Sequence, residues 1–192
     1  MVSELVKDSL PEGRRELMNR IGKDGEEEVG KMLVQEFGFR NVSVGIEGHS
    51  KGTDGYPDIK LLYDDNVFFI EVKSICPFVK SFRRHKETKK RRFAGYRANS
   101  VKVNRHSYDR LMSRAKTAIA TIILIVELRI PNGVNDYFIL HSDTIQDFMD
   151  KTDAEWVHIP LWYILNNTKK LVFSKSEFIV NTVETTQRRL NL

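Results

Sequence analysis

The sequence predicts an α/β (α+β) chain in which a mixed central β-sheet is flanked by helices. Three observations carry this expectation. The stretch "DGEEEVGKMLVQEFGF" puts Val29, Leu33 and Phe37 at helical spacing. Two strand-like segments, Ile59 to Tyr63 and Val67 to Ser74, are joined through Asp64-Asp65-Asn66, residues suited to a hairpin turn. The run "IATIILIVEL", within Ala118 to Leu128, is apolar almost throughout, as a strand covered on both faces should be.

Taken in order, Pro11 opens a first helical pattern and the second, around Val29 to Phe37, stops at Gly38. Asn41 to Ile46 reads as a short strand, followed by the two strands of the hairpin. The stretch after Pro77 has little apolar periodicity and is expected to be loop-like. Helix returns from about Asn104 to Lys116, with Tyr108, Leu111, Met112 and Ala115 on one side. The central strand follows, then a turn at Pro131-Asn132-Gly133 and a strand from Tyr137 to Leu140. Ser142 or Asp143 is placed to cap a short helix ending near Asp150. "EWVHIPLWYIL" is ambiguous between strand and irregular core. Ser174-x-x-Glu177 matches a capping box ahead of Phe178, Ile179, Thr182, Val183, Thr186 and Leu190, which share one helical face. No internal repeat or low-complexity linker interrupts the chain. It is expected to form a single domain over 1–192, with a core over about 22–140 and a C-terminal extension over about 151–192.

With 192 residues, 41% hydrophobic and 30% charged, the chain can bury a sizeable core and does not read as disordered. The start "MVSELVKDSL" lacks the basic and apolar regions of a secretory signal, so the expected setting is cytoplasmic. The longest apolar stretch, Ala118 to Val126, is too short to span a bilayer. Cys76 is the one cysteine, and no Cys/His spacing suits structural zinc. The net charge of +5 hides a marked asymmetry. Between Phe78 and Lys116 there are 14 Lys/Arg against Glu87 and Asp109, whereas the remainder holds 17 basic and 24 acidic residues. A charge run is often a solvated face. Here the cations are interleaved with Phe82, Phe93, Tyr96 and Tyr108, which suits a phosphate backbone and unstacked bases. A nucleic acid is the expected partner, with Arg83, Arg84, Lys89, Lys90, Arg91, Arg92 and Arg97 as its contacts.

One strand ends unusually. After Val67-Phe68-Phe69-Ile70 come Glu71 and Lys73, which alternation places on one face, opposite Ile70 and Val72. If the preceding strand pairs with this one, Asp58 in Pro57-Asp58 reaches the same end. Two converging carboxylates make a hard-oxygen site for Mg²⁺ or Mn²⁺, and a nearby lysine can orient a water or stabilise charge on a phosphate. Pro-Asp and Glu-x-Lys are each common as a turn and a surface pair. Their combination across a turn, 13 residues apart and followed by a basic segment, is more specific.

"PD" at 57–58 with "EVK" at 71–73 resembles the signature of the PD-(D/E)xK nuclease superfamily, which includes many restriction endonucleases and the archaeal Holliday-junction resolvases. The resemblance spans roughly Gly22 to Leu140 and leaves out the first twenty residues and the segment after about Asp150. It implies a restriction-endonuclease-like core and magnesium-dependent hydrolysis of DNA phosphodiesters. Asp58 and Glu71 would be metal ligands, and Lys73 would position or activate the attacking water. Many members also carry a glutamate on the first helix near the site. Glu26 is the first choice because it shares the inward face with Val29, Gly30 and Leu33. Glu27 is the second, unless it completes a cap with Asp24, and Glu28 is expected to face solvent. All three also suit an acidic first turn favoured by the helix dipole. By analogy with helices that contact substrate in the family, Arg105 is expected to bind phosphate.

Asp54 suits a turn better than a metal. His106 is expected at the surface or as a cap, and Trp156, Trp162 and Tyr163 as core or subunit contacts rather than base-stacking platforms. The alternative to a nuclease is a binding module that keeps the fold without catalysis. A symmetric substrate cut in both strands would favour a homodimer, with the C-terminal segment as its contact.

Overall fold

Two aspartates set the central hairpin. Asp64 and Asp65 both hold positive φ, 48° and 61°, the primed-turn geometry whose twist matches the flanking strands and which Asp tolerates. Strands β2 (Ile59–Tyr63) and β3 (Asn66–Ile75) pair across it, from Tyr63↔Asn66 to Ile59↔Ile70. Asn66 therefore belongs to the strand rather than the turn, and its side chain donates to the Asp64 carbonyl at 2.7 Å. The computed structural model describes residues 22–45, 55–76, 80–84, 91–96, 99–130, 134–168 and Phe178.

Strand β7 (Ala120–Leu128) runs parallel to β3, and β8 (Asp136–His141) returns antiparallel beside it. With β1 (Asn41–Val44) on β2, the mixed sheet has the order β1-β2-β3-β7-β8. Both faces are covered. Helix α1 (residues 22–36, with a π-helical last turn at Met32–Glu36) buries Val29, Met32 and Leu33 against Phe68, Ile70, Val72, Ile123 and Ile125. Gly38, at φ 66°, ends it. On the other face, α2 (Arg105–Ala118) buries Tyr108, Leu111 and Ala115 against Phe69, Ile122, Leu124 and Val126. The α/β arrangement, a mixed central sheet flanked by helices, is the one expected of a restriction-endonuclease-like core.

Several segments depart from expectation. The stretch after Pro77 is not all loop: β4 (Lys80–Arg84) and β5 (Arg91–Tyr96) form an antiparallel hairpin in which Phe82 and Phe93 stand opposite each other in register. Phe82, Phe93 and Tyr96 are residue types that favour strands, although each arm is too short to show periodicity. Strand β6 (Ser100–Asn104) was not anticipated. It pairs with β9 (Trp156–Pro160), after which α4 (Leu161–Asn167) begins, so the ambiguous apolar stretch is strand and then helix. Helix α3 (Ser142–Met149) starts after His141 with no side-chain cap, so neither Ser142 nor Asp143 caps it. Met112 is partly exposed and does not share the buried stripe of α2. Phe178 is buried beside Phe37 and Phe39, with ring centroids 5.7 and 5.5 Å away. The Pro11 helix and the capping box at Ser174 lie outside the described residues.

Candidate active site

The β2–β3 ladder closes with Ile59↔Ile70, and the next residue, Asp58, leaves it. Its Oδ2 accepts the Val72 backbone N–H at 2.8 Å, in place of a strand partner. β3 continues alone beside β7 from Glu71↔Leu124 to Ile75↔Leu128. The sheet is thus split at this end, and the split explains why an apolar strand finishes in charge. Glu71 and Lys73 project beside Asp58 into a cleft of about 290 Å³, also bounded by Gly55, Tyr56, Lys102, Ser107, Tyr108 and Trp156.

The segment bearing Asp58 is held against α2. Gly55 sits at φ 90°, and a Cβ there would overlap Arg110, so glycine alone permits both the conformation and the approach. The Arg114 guanidinium lies 3.7 Å from the centre of the Tyr56 ring, a cation–π contact that fixes the same segment.

Lys73 Nζ donates to Glu71 Oε2 at 3.1 Å, the two side chains being 36% and 21% exposed. Burial pushes the Glu71 carboxyl up to about 7; the Lys73 ammonium opposes this and the Asp58 charge adds to it. Burial disfavours the Lys73 ammonium too, but the Glu71 and Asp58 carboxylates outweigh that and hold it above the ordinary lysine range. Lys73 is therefore a fixed cation. Glu26, half-buried on α1, is also raised to about 7, by burial first and then by Asp58 and Glu71.

Glu26 is thus within electrostatic reach of Asp58 and Glu71, while Glu27 is exposed. Glu26→Gln is expected to slow catalysis roughly tenfold or more, and Glu27→Gln to leave it unchanged. Equal single-turnover rates in the two variants would remove the first-helix carboxylate from the site.

Among the described residues, no three His, Cys, Asp or Glu side chains converge as a ready-made metal cage. The donors nevertheless fit Mg²⁺ or Mn²⁺. Such ions are commonly held by one or two carboxylates, with water and substrate phosphate completing the shell, and Asp58 and Glu71 flank one cleft with raised proton affinity at Glu71.

Other expected residues lie elsewhere. Arg105 donates through Nε and Nη2 to the carbonyls of Ala154, Met149 and Thr152, which ties the α2 start to the α3–β9 loop. His106 is exposed, and the α2 cap is Asn104, whose Oδ1 accepts from Ser107 N at 3.0 Å. Glu28 is exposed, with Oε2 accepting from Asn135 at 3.2 Å. Tyr163 packs on Phe148, but Trp156 and Trp162 are exposed and are not core residues. Arg83, Arg84, Arg91 and Arg92 lie on the β4–β5 hairpin. Asp54, Lys89, Lys90 and Arg97 fall outside the described residues. Lys102 and Trp156 were missed as cleft residues; the signal was the alternation of Val101 and Val103 around Lys102.

No protein-family model matches the sequence, and no curated protein sequence matches it. Among solved structures, the chain is similar to Hjc, a Holliday junction resolvase from Archaeoglobus fulgidus. The match has 14% sequence identity and a TM-score of 0.45, and it covers 75% of this chain and 92% of the resolvase.

Proposed function

We propose that the chain is a Mg²⁺- or Mn²⁺-dependent deoxyribonuclease, acting as an endonuclease on DNA. The carrying observation is the split between β2 and β3, which gathers Asp58, Glu71 and Lys73 in one cleft, within electrostatic reach of Glu26. Asp58 and Glu71 would hold the ion. When bound, it would lower the pKa of a water and offset phosphate charge. Lys73, which keeps its proton, would donate to a phosphate oxygen or orient the water rather than act as a base. In the reaction the water oxygen bonds to phosphorus and one P–O ester bond breaks. The basic β4–β5 hairpin would hold the polyanion. The chain is proposed as one domain whose C-terminal segment adds to the core, working in the cytoplasm as a homodimer on two-stranded substrates.

Incubation with junction, flap, single-stranded and duplex DNAs, with Mg²⁺, Ca²⁺ or EDTA, tests this reading. Cleavage that depends on Mg²⁺ is expected. DNA binding with no cleavage of any substrate would favour a non-catalytic binding module.

Cation binding should also be visible without activity. Glu26 and Glu71 titrate near 7 in the folded chain but near 4.5 when unperturbed. The folded state therefore keeps protons that the unfolded state has lost, and these groups' contribution to stability falls as pH rises from about 4.5 to about 7. Mg²⁺ at roughly ten times its Kd should restore about 1.4 kcal/mol above pH 7 and progressively less below it, where protons compete. Thermal denaturation with and without Mg²⁺ reads this directly, and a shift equal at pH 5.5 and pH 8 would contradict it.

A further inference from the structure

The cleft has a second wall that hydrolysis itself does not require. In the β6–β9 ribbon, Val101, Val103, Val157 and Ile159 are buried, so the intervening Lys102, Trp156 and His158 face away from the core. Lys102 and Trp156 then line the cleft that holds Asp58, Glu71 and Lys73. Trp156 remains 50% exposed. Among the described residues no aromatic or cationic side chain stacks on its ring, whereas Tyr163 meets Phe148 and Trp162 meets Tyr163. Asn104, its cross-strand partner, is engaged by the α2 cap and by Glu155. Beneath the cleft, Leu111, Ile122, Leu124 and Ile145 are packed into the core. A phosphate backbone gains nothing from a bare indole, but the face of a base does.

We propose that this wall receives an unstacked base. The substrate is then DNA with an unpaired or extrudable nucleotide beside the scissile phosphate, stacked on Trp156, with Lys102 contacting a neighbouring phosphate. The proposal rests on the nuclease reading above and specifies its substrate class. A regular duplex keeps its bases in the helical stack and presents none to the indole.

The test uses the full-length chain carrying Glu71→Gln, so that DNA is bound without being cut. Fluorescence anisotropy is measured on a single strand, on a duplex with a one-nucleotide bulge, and on the fully paired duplex. Adding Trp156→Ala should weaken binding about 5- to 100-fold on the two DNAs with unpaired bases and less than about twofold on the paired duplex. Trp156→Phe should restore most of the loss, and Trp162→Ala, at the other exposed tryptophan, should match the parent. Equal losses on all three DNAs, or none, would overturn the proposal. Cleavage by the unmutated chain in Mg²⁺ is followed in parallel. DNA cut with no effect of Trp156→Ala on binding leaves the nuclease reading and removes the stacking wall. Selective loss of binding with no cleavage by the unmutated chain leaves the wall and removes the nuclease. A chain that neither binds nor cuts DNA removes both.

Discussion

Asp58→Asn and Glu71→Gln should each lower Mg²⁺-dependent DNA cleavage by at least roughly 100-fold while the protein stays folded. Both substitutions delete a charge and keep the shape. An asparagine at 58 still offers an oxygen to the Val72 N–H, so the local tie across the split survives. At 71, burial already disfavours the ionised carboxylate, and the amide avoids that cost, although Lys73 loses its partner. Their stabilities should therefore stay within about 1 kcal/mol of the parent. Lys73→Ala should also abolish turnover, yet the thermal shift on adding Mg²⁺ should persist, because an ammonium binds no cation. Turnover is followed on a labelled plasmid and folding by circular dichroism. Full activity in either carboxylate variant would sink the assignment of the site.

The split-strand site was legible because its logic is local. Strand alternation alone puts Glu71 and Lys73 on one side, the turn at Asp64-Asp65 brings β2 back, and the helical phase separates Glu26 from Glu27. What escaped was non-local. β6 offers only Val101 and Val103 as inward residues, inside a run of cations, and its partner β9 lies more than fifty positions later. No short window contains that pairing. Trp156 read as a core or subunit contact; the ribbon's register shows that it faces away from the buried Val157 and Ile159. Arg105 looked like a phosphate ligand on a helix start, but the loop before β9 supplies carbonyls that no sequence pattern announces. Glu127 was visible yet unremarked. An acid in phase with Ile123 and Ile125, within a strand buried on both faces, demands partners.

Those partners make Glu127→Ala the variant with the largest expected loss of stability. Glu127 is 0% exposed, and its carboxylate accepts from Ser74 Oγ at 2.5 Å, Asn135 Nδ2 at 2.9 Å and Arg129 Nε at 3.0 Å. Arg129 Nη2 is buried with no hydrogen-bond partner among the described residues, and Glu127 leads the carboxylates, with Glu28 and Asp24, that balance the guanidinium. Removing one partner of a buried pair costs about 3–5 kcal/mol. The lower end applies, because Arg129 keeps 21% of its side chain in solvent. Glu127→Gln, which preserves an acceptor and the volume, should cost roughly 1–2 kcal/mol. The network is also the seat of α1: a Cβ on Gly25 would overlap Ser74 Oγ and crowd Glu127 Oε2. Glu26 is the next residue, so a disturbed seat moves the helix that carries it. Below its melting temperature, Glu127→Ala should then cleave as slowly as Glu26→Gln, and the double variant should be no slower than either, the non-additivity of residues acting through one another. Urea denaturation and single-turnover cleavage measure the two halves. A loss of less than about 1 kcal/mol would show that Glu127 is not the anchor, and additive rate losses would separate it from Glu26.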